Sequence, residues 1–239
     1  MSRRQRINPV KKKTIDLYVF TYNDADLLPF FLDYYKFVNT MTFLDSGSDD
    51  GSLEILRKFA TPDHPEINLI ETGATWWDLH YLFHMKNNIW RKSKADLVFF
   101  PDLDEIFYHP DLVKFLNESN NDIYEMTGYE MVSDGLPKNS LLEIKDGVYF
   151  QMYNKSTIFK PNIGMQFLNS HVRYCRTDNV SIGEIQLLHY RNLGIDMMLK
   201  RRDREKNRLP KGFKERTAMS DKEVIDRFNS LKQQAIKVI

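Results

Sequence analysis

Three carboxylates follow a strongly apolar run within residues 97–105, and they are the side chains best suited to chemistry. Alternate residues of an extended strand project to the same face, so Asp102 and Asp104 are expected to lie close together, with Glu105 beside them. Neighbouring carboxylates repel, and a raised pKa or a hard dication such as Mg²⁺ or Mn²⁺ relieves the repulsion. The pattern predicts a metal-dependent catalytic site. The alternative is a solvated acidic turn after a buried strand.

The overall charge and the cysteine content limit the class of protein. The 239 residues include 34 Lys and Arg against 33 Asp and Glu, a formal net charge of +1, so no global field favours nucleic acid as a partner. The single cysteine, Cys175, excludes an intrachain disulfide and a thiolate zinc cluster and favours a reducing compartment. Without a visible secretion signal or an apolar run of bilayer length, we expect a cytoplasmic protein with no transmembrane segment.

Apolar periodicity predicts strands that alternate with helices over the first hundred residues. The predicted strands cover residues 15–22, 41–44, 67–70 and 96–100. The predicted helices cover residues 27–37, 53–59 and 79–93. This alternation predicts an α/β domain with a parallel sheet covered on both faces, whose ligands bind beyond the carboxyl ends of the strands. The polar loops after Tyr22, Leu44 and Phe100 should therefore converge on one crevice.

The pattern changes after residue 111. The strand-like runs at residues 123–132, 147–159 and 185–190 predict an antiparallel extension of the sheet. A capping box at residues 220–223, followed by an apolar stripe, predicts a C-terminal helix. We interpret the charged run at residues 200–208, which precedes this helix, as an exposed face or a linker.

These patterns also predict the organisation of the chain. Residues 1–13 are basic and nearly free of apolar side chains, so we expect a mobile tail there. Residues 14–195 are expected to form a single domain, with residues 14–110 as its ligand-binding half and residues 111–195 as a second half. Residues 196–239 are expected to form a helical segment.

Lys86 is unexpected on the apolar face of the predicted helix at residues 79–93. A buried lysine is costly unless its charge is paired. Its ammonium either reaches solvent along its aliphatic stem or contacts an anion at the sheet edge, such as the acids of residues 102–105 or a phosphate. Asn87 could donate a hydrogen bond to the same anion.

Two further positions lie at predicted strand ends. Asp45 begins a loop of small residues before a helix, where a carboxylate accepts hydrogen bonds from a base or a ribose, although helix capping selects the same residue types. His189 follows an apolar strand that would deliver it to a sheet end, with Arg191 close by. It is a candidate nitrogen ligand for a dication, or else a structural histidine.

Four motifs, in this order and spacing, resemble those of family 2-like glycosyltransferases of the GT-A fold. The motifs lie at residues 18–23, 45–52, 86–88 and 102–105. The resemblance covers about the first half of the chain. It implies a GT-A, Rossmann-like sheet with a bound nucleotide-sugar, in which Asp45 meets the base, Asp102 the ribose and Lys86 the diphosphate. Asp104 would hold Mn²⁺ or Mg²⁺, with Asp102 and His189 as further metal ligands.

The resemblance also implies a reaction, the transfer of a sugar from a nucleotide-sugar to an acceptor hydroxyl with inversion, with UDP-sugars as the favoured donors. Thr21 and Asn23, at the end of the first strand, belong to the donor-binding set. A carboxylate on the far side of the sugar would deprotonate the acceptor, which is a glycan, a lipid-linked molecule or a protein. Asp134 is the first choice for this base and Glu130 the second.

Two other readings of the sequence stay open. A metal-dependent phosphatase with an aspartyl nucleophile also has two aspartates after an apolar strand, although such enzymes place that motif near the start of the fold. A carbohydrate-binding or scaffold module without catalysis would use the many aromatic residues as sugar platforms or as core. Transfer or hydrolysis of a nucleotide-sugar distinguishes these readings from a glycosyltransferase.

Overall fold

The computed structural model describes residues 12–73, 79–169, 173–208 and 219–239. The predicted basic tail at residues 1–13 lies outside these ranges, except for its last two residues. The strands are β1 (Ile15–Thr21), β2 (Thr40–Asp45), β3 (Glu66–Glu71), β4 (Leu97–Phe99), β5 (Glu105–Tyr108), β6 (Ile123–Ser133), β7 (Asp146–Tyr149), β8 (Ile158–Phe159), β9 (Gln166–Phe167), β10 (Arg173–Tyr174), β11 (Val180–Leu193) and β12 (Ile236–Lys237).

Helices separate the strands of the first half, and two further α-helices lie in the described residues after β11. The α-helices are α1 (Leu28–Tyr35), α2 (Ser52–Phe59), α3 (Leu79–Asn88), α4 (Leu112–Glu118), α5 (Ile195–Arg208) and α6 (Asp221–Gln234). Short 3₁₀ helices cover Ile89–Lys92, Leu141–Glu143 and Gln151–Tyr153. No helix within the described ranges has the length and apolar character required to cross a bilayer.

The first four strands form the parallel part of the sheet, in the order β4, β1, β2, β3. Strand β1 pairs with both β2 and β4, so it is central, and the loops that follow it and its neighbours open at the same edge. The other side of β4 joins β8 antiparallel, and β8 leads through β6 and β7 to β12. Strand β11 runs parallel to β6 and antiparallel to β5.

This architecture confirms the predicted mostly parallel central sheet with flanking helices, an antiparallel extension and C-terminal helices. Strands β1, β2 and β4 are largely buried on both faces, which is why they are nearly continuous apolar runs, whereas the edge strand β3 is mostly exposed. In β1, Leu17 and Val19 belong to one apolar cluster, with α1, whereas Tyr18 belongs to another, with Trp90 and Phe159. The two clusters fix the register of the strand, because a one-residue slip would exchange its faces.

The strand-like run at residues 147–159 is not one strand. It consists of β7, a 3₁₀ turn and β8, and the amide N of Phe150 donates to the carbonyl O of Gly128 at 3.0 Å where β7 ends. The expectation of a continuous strand is wrong because β7 and β8 pair with two separate parts of β6, residues 129–131 and residues 123–124, and the chain leaves the sheet between them. The break buries Lys155, with consequences for the site described below.

The junction between β11 and α5 depends on a glycine. Gly194 has a φ of +88°, and a Cβ built there would lie 2.6 Å from the carbonyl O of Asp134. Ser220 is the N-cap of helix α6 and forms a capping box with Glu223, which confirms the predicted capping box. Val224 and Phe228 of α6 pack with Met198 of α5, so the two helices are joined by their apolar faces.

Gly194→Ala should lower the free energy of unfolding by more than the about 1–3 kcal/mol of an unfavourable backbone conformation, because the added Cβ also meets the Asp134 backbone. Gly47→Ala is the matched control, since Gly47 has a φ of +85° and open space around its Cβ position. Urea denaturation of the two variants measures the difference. Equal losses would show that close packing at residue 194 contributes nothing.

Candidate active site

The acidic residues after β4 lie on a turn that reverses the chain into β5. The amide N of Glu105 donates to the carbonyl O of Asp102 at 3.0 Å, and the amide N of Asp102 donates to Oε2 of Glu105 at 2.9 Å. The expected extended geometry of Asp102 and Asp104 is therefore wrong. Pro101 has no N–H to continue a ladder, and β5 must turn back to pair with β11. The two aspartates meet different partners as a result.

Asp102 and Glu105 share one buried cation. Nζ of Lys155 lies 2.6 Å from Oδ2 of Asp102 and also contacts Oε1 of Glu105. The side chains of Lys155 and Glu105 are 4% and 0% exposed, whereas that of Asp102 is 47% exposed. Lys155 thus neutralises the inner carboxylate and leaves one edge of Asp102 open towards solvent.

Asp104 lies between two other basic side chains, His189 and Arg201. Nε2 of His189 is 3.3 Å from Oδ2 of Asp104, and Nη1 of Arg201 is 2.7 Å from the same atom. The guanidinium is close to Oδ2 without the alignment of a hydrogen bond. Among the described residues, this buried oxygen accepts no well-aligned hydrogen bond. Asp104 Oδ2 therefore keeps lone-pair capacity for a further cation.

His189 is held on its other side by a second carboxylate. Its Nδ1 lies 3.2 Å from Oε1 of Glu130, which sits beside it on the parallel strand β6. The ring of Tyr153 covers the imidazole, with 4.2 Å between the centroids. A Cβ on Gly128 would lie 2.4 Å from Tyr153, so the glycine is what admits Tyr153 to this position.

The charges around Asp104 decide its protonation. Burial acts to raise the pKa of Asp104, but Arg201 and His189 outweigh burial and hold that pKa well below its ordinary value. Burial acts to lower the pKa of His189, but the carboxylates of Asp104 and Glu130 raise it to about 9. Asp104 is thus an anion that attracts cations from three directions: helix α5, strand β11 and the crevice.

Lys86 is buried, as its place on the apolar face implies, and it is 6% exposed. Its ammonium lies 5.1 Å from the centroid of Phe100 and 4.8 Å from that of Phe167. Burial lowers the pKa of Lys86, and the charge of Asp102 opposes that shift. In the described part of the chain, the ammonium makes neither a hydrogen bond nor an ion pair. It is a buried cation with an unused capacity for an anion.

Helix α5 contributes basic side chains that the sequence analysis assigned to an exposed face or a linker. The segment is a helix and not a linker. The predicted exposed face is confirmed at Lys200, Asp203 and Glu205, but Arg201 and Arg204 are partly buried and reach carboxylates at the sheet edge. Besides the Arg201 contact, Nζ of Lys200 lies 2.5 Å from Asp26, and Nη2 of Arg204 lies 3.2 Å from Asp24. Arg204 also donates to the carbonyl O of Asn23. The helix lies across the loop after β1 and the turn after β4.

The loop after β2 is built from its own hydrogen bonds. Asp45 accepts from the amide N of Gly47 at 2.9 Å and from both the amide and the hydroxyl of Ser48. Asn23 has a φ of +55°; its side-chain N donates to Oδ1 of Asp49 at 2.7 Å, and its Oδ1 accepts from the amide N of Asp49 at 2.8 Å. Thr21 is buried at the end of β1. Asp45 and Asn23 therefore shape the loop.

Two predicted residues have other partners in the structure. The side-chain N of Asn87 donates to the carbonyl O of Phe167 at 2.9 Å, and its side-chain O accepts from the amide N of Phe167 at 2.7 Å. Asn87 therefore anchors β9 to α3. Asp134 is exposed just after β6, and Nζ of Lys232 from α6 lies 2.5 Å from its Oδ1. Neither side chain contacts Asp104 or His189, whereas Glu130 does contact His189.

The residues around Asp104 fit a divalent cation as a partial ligand set. Asp104 Oδ2 would supply one oxygen. His189 Nε2 would supply one nitrogen once the metal displaces its proton, because a protonated imidazole has no lone pair to donate. Glu130 orients the imidazole as carboxylates do behind metal-bound histidines. Within the described ranges, no group of three or more His, Cys, Asp or Glu is arranged to hold a metal. The remaining ligands would therefore be water and phosphate oxygens, as is usual for Mg²⁺.

Sequence reasoning missed Lys155 and Arg201, the two cations that neutralise the acidic turn. Lys155 lies in a run without periodicity, and only the break between β7 and β8 brings it under the turn. Arg201 had a weak signal, since it follows His189 by twelve residues on the next helix, but its pairing requires the three-dimensional crossing of α5. Sequence reasoning did find Asp104 and His189, which the structure brings together.

No family model and no curated protein matches the chain. Several solved structures have a similar shape. A structure of residues 1–349 of TarS from S. aureus has 13% sequence identity and a TM-score of 0.48, and it covers 90% of this chain and 70% of that one. The chain covers 43% of a longer TarS structure, so more than half of that protein lies outside the similarity. A further TarS structure is a complex with UDP.

A second similar protein is the glucosyl-3-phosphoglycerate synthase of Mycobacterium tuberculosis, in complex with Mn²⁺, UDP and glucosyl-3-phosphoglycerate. It has 18% identity and a TM-score of 0.33, and it covers 48% of this chain and 44% of that one. These values describe similarity of shape at low sequence identity.

Lys155→Met should lower the free energy of unfolding by about 3–5 kcal/mol, because it leaves the carboxylate of Glu105 buried without a counter-charge. Urea denaturation followed by circular dichroism measures the loss. Lys160→Met is the control, since Lys160 pairs with Asp122 where both side chains are about a quarter exposed, and such pairs contribute about 1 kcal/mol or less. A similar small loss in both variants would contradict the role of Lys155.

Proposed function

We propose that the protein is a metal-dependent glycosyltransferase that moves a sugar from a nucleotide-sugar, with UDP-sugars favoured, to an acceptor hydroxyl with inversion. The observation that carries the proposal is the convergence of Asp104 Oδ2 and His189 Nε2 at the carboxyl edge of the parallel strands. A buried pair of this kind, oriented from behind by Glu130, is suited to a dication that shares its remaining ligands with a diphosphate.

The donor would lie across the crevice between the loops that follow β1, β2 and β4. The ammonium of Lys86 has no anionic partner among the described residues and is available to the diphosphate. The open edge of Asp102 would accept hydrogen bonds from the ribose. The loop of residues 45–52 would receive the base against its backbone, with Asp45 and Asn23 holding its shape and Thr21 supporting it from β1.

Asp104 and His189 would hold Mn²⁺ or Mg²⁺, with Asp102 nearby as a further oxygen donor. The bound cation would stabilise the negative charge that develops on the leaving diphosphate. Two side chains of the protein would contribute in other ways. Lys86 adds a fixed positive charge near the diphosphate, and Glu130 keeps the imidazole oriented.

Asp134 is the proposed general base for the acceptor hydroxyl of a glycan, a lipid-linked molecule or a protein. Support comes from its position just beyond β6, four residues after Glu130, with its carboxylate exposed and in contact with Lys232. Glu130 is the second choice, since its contact with buried His189 suits it to positioning. A cytoplasmic location remains a prediction from the sequence.

A panel of UDP-, GDP- and CMP-sugars with and without Mn²⁺ tests the proposal by thermal unfolding. A ligand at about 100 times its Kd adds about 2.7 kcal/mol of stability, which for a chain of this size raises Tm by about 5–10 °C. We expect such a rise only with Mn²⁺ present and not in Asp104→Asn. An equal rise in Asp104→Asn, or no rise with any nucleotide-sugar, would contradict the proposal.

Asp134→Asn should lower kcat by about 100-fold or more while leaving the donor Kd unchanged, because it removes only the proton acceptor. Steady-state transfer assays and calorimetric titration separate the two effects. Asp33→Asn is the control, since Asp33 forms an exposed ion pair with Lys36. Undiminished turnover in Asp134→Asn, with turnover lost and Mn²⁺ affinity retained in Glu130→Gln, would assign the base to Glu130.

A further inference from the structure

We infer that Arg201 is the counter-cation of Asp104 in the donor-free protein, and that it exchanges to the donor diphosphate when a dication takes Asp104. The inference rests on the proposed function and deepens it, since it concerns how the metal and the donor enter the same site. It assigns a donor-binding role to helix α5, which is outside the motifs of the first half of the chain.

The geometry supports direct competition for one atom. Nη1 of Arg201 lies 2.7 Å from Oδ2 of Asp104, the same oxygen that faces Nε2 of His189. A dication bound to that oxygen would bring its charge against the guanidinium in a site where the Asp104 side chain is only 5% exposed. Two cations this close repel strongly in poorly solvated surroundings. The guanidinium and the dication therefore exclude each other at Asp104.

The contact between Arg201 and Asp104 is also suited to exchange. Asp104 Oδ2 accepts no well-aligned hydrogen bond among the described residues, so the guanidinium is held there mainly by charge. Arg201 keeps a second partner when it leaves, because its Nε lies 3.4 Å from Oε1 of Glu205 on the same helix. Its side chain is 18% exposed and can reach the crevice.

A diphosphate is the anion that suits the displaced guanidinium. Arginine presents a planar set of N–H donors that matches phosphate oxygens in a bidentate way. Arg204, one turn further along α5, contacts Asp24 on the opposite wall, so two arginines of the helix border the same space. Lys86 adds a buried cation that has no ion-pair partner among the described residues. The guanidinium of Arg201, once displaced from Asp104 by the dication, would thus bind the diphosphate of the donor.

The exchange makes dication binding depend on the donor. Without a nucleotide, the dication must displace Arg201 and leave it without an anion in the crevice. With a nucleotide, the diphosphate binds both cations. Because coupling between two ligands is reciprocal, the nucleotide should also bind more tightly when the dication is present.

Electron paramagnetic resonance of free Mn²⁺ tests the inference on the full chain, with and without UDP and with a protein-free sample to correct for the Mn²⁺–UDP complex. We expect UDP to increase the Mn²⁺ affinity of the wild type at least tenfold. Arg201→Gln should bind Mn²⁺ alone about tenfold more tightly than the wild type and should lose most of the gain from UDP. Asp104→Asn should not bind Mn²⁺ in either condition.

Two variants serve as controls. Arg202→Gln removes a cation from the same helix that pairs instead with Asp203 and Asp221, and it should behave like the wild type. Arg201→Lys keeps a positive charge beside Asp104 and should keep weak Mn²⁺ binding in the absence of UDP. Circular dichroism verifies folding, and the wild-type comparison with and without UDP needs no variant.

The outcomes separate the inference from the proposed function. If the wild type binds Mn²⁺ equally well with and without UDP, or if Arg201→Gln binds Mn²⁺ alone no more tightly than the wild type, the exchange is refuted and the glycosyltransferase proposal stands. If the wild type binds no Mn²⁺ under either condition, both are refuted.

Discussion

The neutralisation of three clustered carboxylates is the constraint on which the rest of the site depends. Asp102, Asp104 and Glu105 lie within four consecutive positions after β4, and burying Asp104 and Glu105 without cations would cost several kcal/mol each. Lys155 neutralises two of them from the break between β7 and β8, while Asp104 draws His189 and Arg201. The acidic turn thus ties the antiparallel extension and the C-terminal helices to the parallel sheet, and the arrangement that stabilises the fold also forms the crevice.

The sequence predicts the parallel half of the fold well, because β1, β2 and β4 are buried on both faces and their apolar runs are distinct. The approach of Asp104 and His189 was predictable only in part, since His189 lies within β11 and not at a strand end. The geometry of the acidic turn was not, because alternation along a strand says nothing about where a chain reverses. The partners Lys155 and Arg201 depend on crossings between distant segments, and periodicity within one segment carries no information about them.

Helix α5 illustrates how a charged run can be misjudged. Its residues have the composition of a solvated surface, yet Lys200, Arg201 and Arg204 each contact a carboxylate at the sheet edge. The direction of the helix is set by Gly194, which allows a sharp turn after β11 where a side chain would meet the backbone of Asp134. A basic helix fixed in this way over an acidic edge supplies positive charge to the crevice from outside the parallel sheet.

The packing of Tyr153 on His189 has a consequence for the two nitrogens of the imidazole. With the phenol ring against one face of the imidazole and Glu130 bound at Nδ1, a half-turn of the imidazole about its Cβ–Cγ bond would need both neighbours to move. The absence of a side chain at Gly128 lets the phenol ring come this near. The two nitrogens are therefore not interchangeable: Nδ1 stays on the side of Glu130, and Nε2 stays on the side of Asp104 and the turn after β4.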